Sequence, residues 1–425
     1  MLVKKIIGRE VLDSRSNPTV EVELILANGS KQVTERGIAP SGASRGTHEA
    51  WELRDGGKRF LGKGVSKALK GVEKLDKSFK NKKFTQKKFD EKLCGLAGPN
   101  KKSIGGNTTT AASFAFLNAS AKLQDKWVYE LMGGTVLPVP FFNVINGGQH
   151  AGNKLSIQEF MIAPYGAKSF KEALRWGSEI YHTLGKNLVL KYGSSAKNVG
   201  DEGGYAPPIQ HSEDALHAIE YSIEELGYKG KVGIALDAAA SEFYDNMYNI
   251  DGMSLTGPEL IDHYERMAAE FPLISIEDPF DQEDFHMFAE LRKSLNHIQI
   301  VADDLTVTNL QRVKRAIDGE CMDTLLLKVN QIGTVYEAYE TFKYCLSKNV
   351  GTMVSHRSGE TEDTTIADLV VGLETNQIKT GAPARGERTA KYNQLLRIEE
   401  RLGKKAKYAG KNFKKIGKRV SVFEN

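Results

Sequence analysis

The sequence of 425 residues predicts an α/β protein in which a closed (β/α) barrel follows a smaller region of mixed strands and helices. Apolar runs in the second part of the chain alternate with helical sequence, which is typical of parallel strands, and their number is enough to close a sheet. A charged or polar residue follows each run at successive intervals of 40, 26, 25, 28 and 23 residues: Asp237, Glu277, Asp303, Lys328, His356 and Lys379.

The first part of the chain reads as strands followed by helices. The stretch "TVEVELILANGSKQVTERGIA" alternates between apolar and polar residues, and Asn28-Gly29 predicts a hairpin turn. Lysine-rich helical sequence runs from about Val65 to Leu93, and an alanine-rich helix from about Thr109 to Gln124. Gly and Pro cluster in "GGTVLPVP", which marks a domain junction. We therefore expect an N-terminal α+β domain at 1–134 and a barrel domain at 135–425.

The barrel sequence opens with two apolar runs, "PFFNVING" and "SIQEFMIAP", whose connecting loop is too short for a helix. A helix is then predicted over 168–190 from its apolar stripe. The strands that follow are "VGIALDAA", "LISIEDPF", "IQIVADDL", "TLLLKVNQ", "GTMVSHRSG" and "NQIKTG".

The composition excludes some classes of function. The net charge of +4 is too mild to indicate nucleic-acid binding, so no nucleic-acid partner is expected. Cys94, Cys321 and Cys345 form no CxxC pair, as in a cytosolic protein with reduced thiols. The N-terminus has no apolar core typical of a signal peptide, and the uncharged stretches 103–121 and 131–149 are interrupted by polar residues, Gly or Pro. We expect a cytoplasmic protein without a membrane span.

The polar strand ends predict one charged site. In a barrel the carboxyl ends of the strands meet at one rim, where active sites of this fold lie. Asp237, Glu277 and Asp303 would repel one another there unless a cation neutralised them, and oxygen ligands favour Mg²⁺. The alternative is that each acid caps the following helix. Lys328, after three leucines, is either a solvated strand end or an amine held in a dry site.

Three loops carry further candidates. "NVGDEGGYAP" places Asp201 and Glu202 before two glycines, where the backbone can approach a ligand closely. "INGGQHAGN" offers His150, although a single histidine is more often a packing or surface residue, and "SIQEF" adds Gln158 and Glu159. The glycine-rich "PSGASRG" is by itself a weak phosphate-loop signal.

These segments together resemble the enolase family, the 2-phosphoglycerate dehydratases of glycolysis and gluconeogenesis. The similarity covers residues 13 to about 400 in family order and rests on many motifs: "DSRSNPTVEVEL", "PSGAS", "ELRDG", "FLGKGV", "NVINGGQHAGNKLSIQEFMI", "VGDEGGYAP", "ALDAAASEFY", "SIEDPF", "VADDLTVTN", "LLLKVNQIGT", "VSHRSGETEDTTIADL" and "NQIKTGAPARGER". The resemblance implies a (β/α)8-type barrel that opens with an antiparallel strand pair, preceded by a smaller α+β domain.

The resemblance also implies a role for each matched residue. Asp237, Glu277 and Asp303 would bind a first Mg²⁺, and Ser41 a second Mg²⁺ that arrives with the phosphorylated substrate. Lys328 would be the general base and Glu202 the general acid, with Glu159 beside it as a further catalytic residue. The substrate-binding positions would be His150, Gln158, Glu159, Glu277, Asp303, Ser355, His356, Arg357, Ser358 and Lys379.

The implied chemistry sets requirements on these groups. Removal of the C2 proton beside a carboxylate creates a dianionic intermediate, which two Mg²⁺ and Lys379 would stabilise. Lys328 must be uncharged, so we expect Mg²⁺ and Lys379 to lower its pKa toward roughly 7–9. Glu202 must be protonated, so we expect nearby anions to raise its pKa.

The sequence departs from the family pattern at some positions and leaves two rival functions open. Ser16 replaces a usual Gly, Arg45 replaces a usual Thr on the Ser41 loop, and "GGNTTT" is unusual. The rivals are Mg²⁺-dependent proton abstraction from another acid, and a binding or structural protein on the same scaffold. The resemblance implies a homodimer or a higher assembly. The basic stretch 404–423 reads as a solvated tail or, alternatively, as a surface that attracts anionic partners.

Overall fold

The computed structural model describes residues 1–42 and 46–423 and confirms the predicted fold class, a closed barrel preceded by an α+β region. The first three strands form an antiparallel sheet in chain order: β1 (Leu2–Leu12), β2 (Pro18–Asn28) and β3 (Lys31–Ile38). Four helices follow: α1 (Ser66–Phe79), α2 (Gln86–Ala97), α3 (Gly106–Leu123) and α4 (Val128–Met132). Apolar residues of β2 alternate along the strand and form one core with those of α1 to α3.

Two local predictions in this region need correction. Asn28 pairs with Lys31, so the two-residue hairpin loop is Gly29-Ser30, one position later than predicted. The helix predicted from Val65 to Leu93 is two helices. The break comes after α1, where Lys80 leaves the helical conformation (ψ 134°), and Thr85 then caps α2 by accepting a hydrogen bond from the Lys88 amide.

The barrel has eight strands, closed in the chain order of its members. They are β5 (Val139–Asn146), β6 (Glu159–Ala163), β7 (Gly233–Asp237), β11 (Leu273–Glu277), β12 (Gln299–Ala302), β13 (Thr324–Leu327), β14 (Gly351–Ser355) and β15 (Gln377–Lys379). β6 is antiparallel to both β5 and β7, and the other neighbouring pairs are parallel. The predicted antiparallel opening is therefore confirmed. β4 (Val136–Leu137), just before the barrel, pairs with β16 (Lys407–Tyr408).

Helices connect the barrel strands and cover them from outside: α5 (Phe170–Tyr192), α6 (Ser212–Glu225), α7 (Gly257–Glu270), α8 (Phe285–Ser294), α9 (Leu310–Asp318), α10 (Val329–Ile332), α11 (Val335–Ser347), α12 (Thr365–Leu373) and α13 (Gly386–Leu402). The 40-residue interval between Asp237 and Glu277 is longer than the others because it contains a separate small sheet: β8 (Tyr244–Asp245), β9 (Met247–Ile250) and β10 (Met253–Leu255).

The basic C-terminal stretch packs against the barrel, so the expectation that it forms a solvated tail is wrong. Phe413 is buried at the end of the barrel where the strands start, with its ring centroid 5.8 Å from that of Phe141. Val420 and Phe423 are buried as well. Burial of the apolar residues between the lysines stabilises this packing, and a tail free in solvent would not gain that free energy. Within the described ranges, no helix combines the length and apolar character needed to cross a membrane.

Ser16, one departure from the family pattern, has a structural cost. Its φ is +60°, in the left-handed region where a residue with a Cβ is disfavoured by roughly 1–2 kcal/mol. This conformation explains why glycine is the usual residue there. The other departure on a loop, Arg45, lies outside the described residues.

Candidate active site at the rim of the barrel

The strand ends bring the predicted charged residues to one rim. Asp237, Glu277 and Lys379 are the last residues of β7, β11 and β15, and Asp303 and Lys328 directly follow β12 and β13. The strand register pairs Asp237 with Glu277 on one side and with Glu159 on the other. Glu159 is the first residue of β6, and it reaches the same rim because that strand runs in the opposite direction.

The Lys379 ammonium lies among three of these carboxylates. Its Nζ is 2.7 Å from Asp237 Oδ2, 2.8 Å from Glu277 Oε1 and 3.1 Å from Glu159 Oε1. Burial lowers the pKa of Lys379, but the Asp237, Glu159 and Glu277 carboxylates outweigh it and raise the pKa well above its usual value. Burial and Asp237 together raise the pKa of Glu277. The single positive charge of Lys379 therefore does not neutralise all three carboxyl groups.

Lys328 lies in a largely buried site and not at a solvated strand end. Its ammonium donates a hydrogen bond to Asp303, and Gln331 Nε2 donates to the other oxygen of that carboxylate at 2.8 Å. Burial lowers the pKa of Lys328, as do Arg357 and Lys379, but the Asp303 and Glu277 carboxylates oppose them and the net shift of the pKa is upward. The lowering expected from Mg²⁺ together with Lys379 stays a prediction. Among the protein's own groups, Arg357 and Lys379 act in the expected direction and the carboxylates act against it.

His150, Glu159 and Glu202 place their donor and acceptor atoms within 4.8 Å of one another. Asn143 Nδ2 donates to Glu202 Oε2 at 3.1 Å, and His356 Nε2 lies 3.3 Å from the same oxygen. Burial raises the pKa of Glu202, but His356 and His150 outweigh burial and hold that pKa well below its usual value.

Burial and the neighbouring Glu202 raise the pKa of Glu159 well above its usual value. The directions of the two pKa shifts favour a proton on Glu159 over one on Glu202, and the expectation that the pKa of Glu202 is raised is wrong for this structure. Burial lowers the pKa of His150, and the Glu202 carboxylate opposes that shift.

The remaining predicted substrate-binding residues lie around the same cavity. Arg357 donates to both oxygens of Glu49, at 2.9 and 3.0 Å, and the pair is buried. Gln158 Nε2 donates to Asp237 Oδ2 at 3.4 Å. Among the described residues, those that line the cavity are Gly42, Glu49, His150, Gln158, Glu159, Glu202, Asp237, Ala239, Glu242, Asp278, Asp303, Asp304, Lys328, Ser355, His356, Arg357, Ser358 and Lys379.

Two predicted site residues, Glu277 and Ser41, are not in the lining of this cavity. Glu277 lies behind it at the rim, bound to Lys379, and Ser41 lies to one side. Its hydroxyl donates to Asp13 Oδ2 at 3.0 Å, its amide pairs with the Gly359 carbonyl at 2.8 Å, and its side chain lines an adjoining cavity. Ser41 precedes residues 43–45, which lie outside the described part of the chain.

The structure adds acids that the sequence analysis did not select. Asp278 accepts hydrogen bonds from the backbone amides of Asp303 (3.0 Å) and Asp304 (2.6 Å), and the three carboxylates lie within 4.8 Å of one another. Burial raises the pKa of Asp304 to about 7. Asp278 and Asp304 could have been selected from the sequence, because each directly follows a predicted site acid, in "SIEDPF" and in "VADDL". Glu49 gave none, because it comes from the N-terminal region, 308 residues away from its partner Arg357.

The donor atoms at the rim fit a divalent cation. Of the described residues that line the cavity, eight carry carboxyl groups and three carry lysine or arginine side chains, namely Lys328, Arg357 and Lys379. Glu159 Oε2 is buried without a hydrogen-bond partner. Carboxylate oxygens are hard ligands of the kind that Mg²⁺ prefers, and they are in excess here. Between Asp237 and Glu277 the positive charge is supplied by the Lys379 ammonium.

Comparisons with known proteins identify the family of the chain. The family model described as the enolase N-terminal domain matches residues 3–132, and that of the enolase C-terminal TIM barrel domain matches residues 134–417. An enolase of Methanocaldococcus jannaschii is 53% identical over 421 residues, covering 97% of this chain and 98% of that protein. An enolase of Methanococcus aeolicus is 50% identical (96% and 97% covered), and one of Solanum lycopersicum is 49% identical (97% and 98% covered).

Proposed function

Because the chain belongs to the enolase family, we propose that the rim of its barrel removes water from 2-phosphoglycerate by the residues described above. The protein is a carbon–oxygen lyase of the phosphopyruvate hydratase type, which interconverts 2-phosphoglycerate and phosphoenolpyruvate plus water. One observation carries the assignment of roles: Lys328, Lys379 and the Glu159–Glu202 pair, the groups that can move or stabilise charge, line the same acid-rich cavity.

Lys328 is the proposed base that takes the proton from C2. In the neutral state its Nζ offers a lone pair to a proton beside the substrate carboxylate. Arg357 and Lys379 both favour that state, and the Asp303 carboxylate opposes it. Mg²⁺ bound by Asp237, Glu277 and Asp303 would supply positive charge to the substrate carboxylate and compete with Lys328 for Asp303.

Lys379 is proposed to face the substrate carboxylate, on which negative charge builds up as the proton leaves. Its ammonium is held by three carboxylates at 2.7 to 3.1 Å, so it is already oriented before the reaction. A buried, pre-oriented charge costs little reorganisation at the moment when the intermediate forms.

The proposed acid that helps the C3 hydroxyl leave is the Glu159–Glu202 pair. A raised pKa at Glu159 and a lowered pKa at Glu202 support a resting state in which Glu159 carries the proton of the pair. A dianionic intermediate beside the pair would raise the pKa of both carboxyls and bring the proton toward the leaving hydroxyl. His150 lies beside Glu202, with 3.7 Å between Nδ1 and Oε1.

The phosphate is proposed to bind at Arg357 and Ser358, since a guanidinium matches phosphate geometry and both residues line the cavity. His356 and Ser355 complete this wall, and Ser355 Oγ donates to the His356 carbonyl at 3.1 Å. Ser41 would reach the cavity by moving away from Asp13 and would add a ligand for a second Mg²⁺ that accompanies the substrate.

The test is conversion of 2-phosphoglycerate by the purified protein, followed by the ultraviolet absorbance of the enol product. Product should form with Mg²⁺, stop when a chelator is added, and resume when Mg²⁺ is restored. Lys379→Met should abolish turnover, and Lys407→Met, a matched change at an exposed lysine of β16, should retain it. Absence of Mg²⁺-dependent product from the wild-type protein would contradict the proposed function.

A further inference from the structure

Arg388 is a buried cation for which the proposed reaction has no role. It lies in the first turn of α13 with none of its surface exposed. Nη1 donates to His356 Nδ1 at 2.6 Å and to the Arg357 carbonyl at 2.7 Å. Nη2 donates to the Ser358 carbonyl at 2.6 Å and to the Asp201 carbonyl at 3.1 Å. One guanidinium therefore serves four acceptors on two other segments of the chain.

The two segments are the loops that carry opposite sides of the site. Asp201 directly precedes Glu202, and the second segment is His356, Arg357 and Ser358. The planar fork of an arginine offers five donors in fixed directions, whereas a lysine offers one nitrogen. A lysine at position 388 could reach one or two of the four acceptors, so only arginine can hold both loops at once.

The contact with His356 also determines which ring nitrogen carries the proton. An arginine side chain stays protonated and can only donate, so His356 Nδ1 must be the acceptor in the 2.6 Å bond. The proton of the neutral ring is then on Nε2, which lies 3.3 Å from Glu202 Oε2. His356 is thereby fixed with its N–H toward the acid pair.

The charges around His356 agree with a neutral ring. Burial and Arg388 lower the pKa of His356 to about 4 against the opposing effects of Glu202 and Glu360. Glu360 is itself paired with Lys391, whose Nζ lies 2.7 Å from its carboxylate. At neutral pH the ring therefore carries its proton on Nε2 and accepts at Nδ1.

We propose that Arg388 is a positioning residue that ties the Glu202 loop to the His356–Ser358 loop and fixes His356 with its Nε2–H directed toward Glu202. The kinetic part of this inference rests on the proposed function. The tautomer of His356 does not, because it is a property of the free protein and can be measured without substrate.

The first experiment is nitrogen NMR of wild-type protein labelled in its histidines, with His356→Gln to identify the His356 signals. The expected result is a neutral ring protonated at Nε2 that does not titrate near the ordinary histidine pKa of about 6.5. A ring protonated at Nδ1, or one that titrates near 6.5, would overturn the proposal. The result does not depend on turnover, so a failure of the proposed function remains distinguishable.

The second experiment compares Arg388→Met and Arg388→Lys with Arg266→Met. Arg266 is a matched control, because its Nη2 also lies near a histidine nitrogen, 3.5 Å from His263 Nδ1, but it is exposed and outside the cavity. Arg388→Met should lower kcat by about 10- to 100-fold with a smaller change in KM. It should also move the acidic limb of the pH profile upward, since His356 becomes protonable at higher pH.

Arg388→Lys should recover part of kcat and return the acidic limb toward the wild-type position, because an ammonium can still donate to Nδ1. Arg266→Met should match the wild-type protein in kcat, KM and pH profile. If Arg388→Met keeps the wild-type kcat and pH profile, the positioning role is wrong. If that variant does not fold, Arg388→Lys and the tautomer measured in the wild-type protein decide the question.

Discussion

The two ends of the barrel interior both bury polar side chains, but only one end satisfies them internally. At the strand starts, Gln299 Nε2 donates to Ser275 Oγ (3.1 Å) and to Gln377 Oε1 (2.9 Å). Gln377 Nε2 donates back to Gln299 Oε1 at 3.0 Å, and the Thr324 hydroxyl donates to the same oxygen at 2.9 Å. We call Ser275, Gln299, Thr324 and Gln377 the glutamine layer. It is neutral, buried and fully hydrogen-bonded.

At the rim the same strands end in charges that are not matched. Glu159 Oε2, His150 Nδ1 and His356 Nε2 are buried there without a hydrogen-bond partner among the described residues. A buried polar atom left unpaired costs about 1–3 kcal/mol. One barrel therefore separates two tasks along its axis: the strand starts stabilise the fold, and the strand ends hold groups that are satisfied only by ligands. Changes at either end can test that separation.

Lys328→Ala should have the largest effect and should leave the fold intact. Removal of the proposed base should lower kcat by about 10² to 10⁴-fold and abolish exchange of the C2 proton with solvent. The variant should still unfold at higher temperature when Mg²⁺ is present, because the acids remain. Lys348→Ala, at an exposed lysine directly after α11, is the control and should behave as wild type. Retained C2 exchange in Lys328→Ala would show that another group is the base.

Mg²⁺ should stabilise the protein through the rim and not elsewhere. At a concentration 100-fold above its dissociation constant, the ion should raise the free energy of unfolding by about 2.7 kcal/mol, measured by denaturant titration. Glu277→Gln should reduce this gain. Glu290→Gln, at an exposed residue of the helix that follows β11, should keep it. An equal gain in both variants would mean that the ion binds outside the rim.

Gln377→Leu should destabilise the glutamine layer without changing kcat. The change leaves Gln299 Nε2 and Oε1 each short of one partner, at a cost of about 1–3 kcal/mol in denaturant unfolding. The double variant Gln299→Leu with Gln377→Leu should cost less than the sum of the single variants, because both members of the pair become apolar. Gln311→Leu, at an exposed position on α9, is the control. A lowered kcat in Gln377→Leu would show that the two ends are coupled.

Asp90 is a single carboxyl buried among neutral hydrogen-bond partners. It tests whether neutral partners alone can stabilise a buried acid in its ionised form. It accepts hydrogen bonds from Gln86, Ser113 and the Tyr336 amide. Burial raises its pKa from 3.8 to about 7. Between those pH values the native state keeps a proton that the unfolded chain has lost, so stability falls as pH rises through that window.

Asp90→Asn removes this titration. Between pH 6 and 8 the wild-type protein should lose about 1 kcal/mol that the variant keeps, measured by denaturant unfolding at each pH. The variant retains the acceptor for the backbone amide, and its new N–H can donate to Gln86 Oε1, which is buried without a hydrogen-bond partner. Glu91→Gln, exposed on the same helix, should show the wild-type pH dependence. An unchanged pH dependence in Asp90→Asn would contradict the raised pKa.

The sequence predicted the barrel well because its signals are local. Apolar runs of strand length and the polar residue after each of them depend on neighbours in the chain, and all six predicted strand ends lie at one rim. The errors in the predicted helix boundaries have a different origin. The gap between α1 and α2 depends on backbone conformation at Lys80, and lysine-rich sequence around it has no strong helix-breaking residue.

The sequence predicted the residues of the site whose chemical role depends only on their type. Family motifs led to Glu202 and Lys328 but not to their protonation states, which depend on distances to His356 and Asp303. Glu49 and Arg388 could not be selected from chemistry alone, because their partners lie 308 and 32 residues away. Pairings of that kind are set by the folded chain.

The reversed direction of β6 reduces the chain entropy lost in assembling the site. Both ends of the β5–β6 connection open at the rim, so Asn146 and Glu159 meet there after a separation of 13 residues. A contact between Glu159 and Lys379 closes 220 residues, since 379 minus 159 is 220. Four doublings of length separate the two loops, and the shorter one closes at a cost lower by roughly 2 kcal/mol. The hairpin thus supplies Asn143, His150 and Glu159 to the site as a local unit, onto which the distant lysines are added.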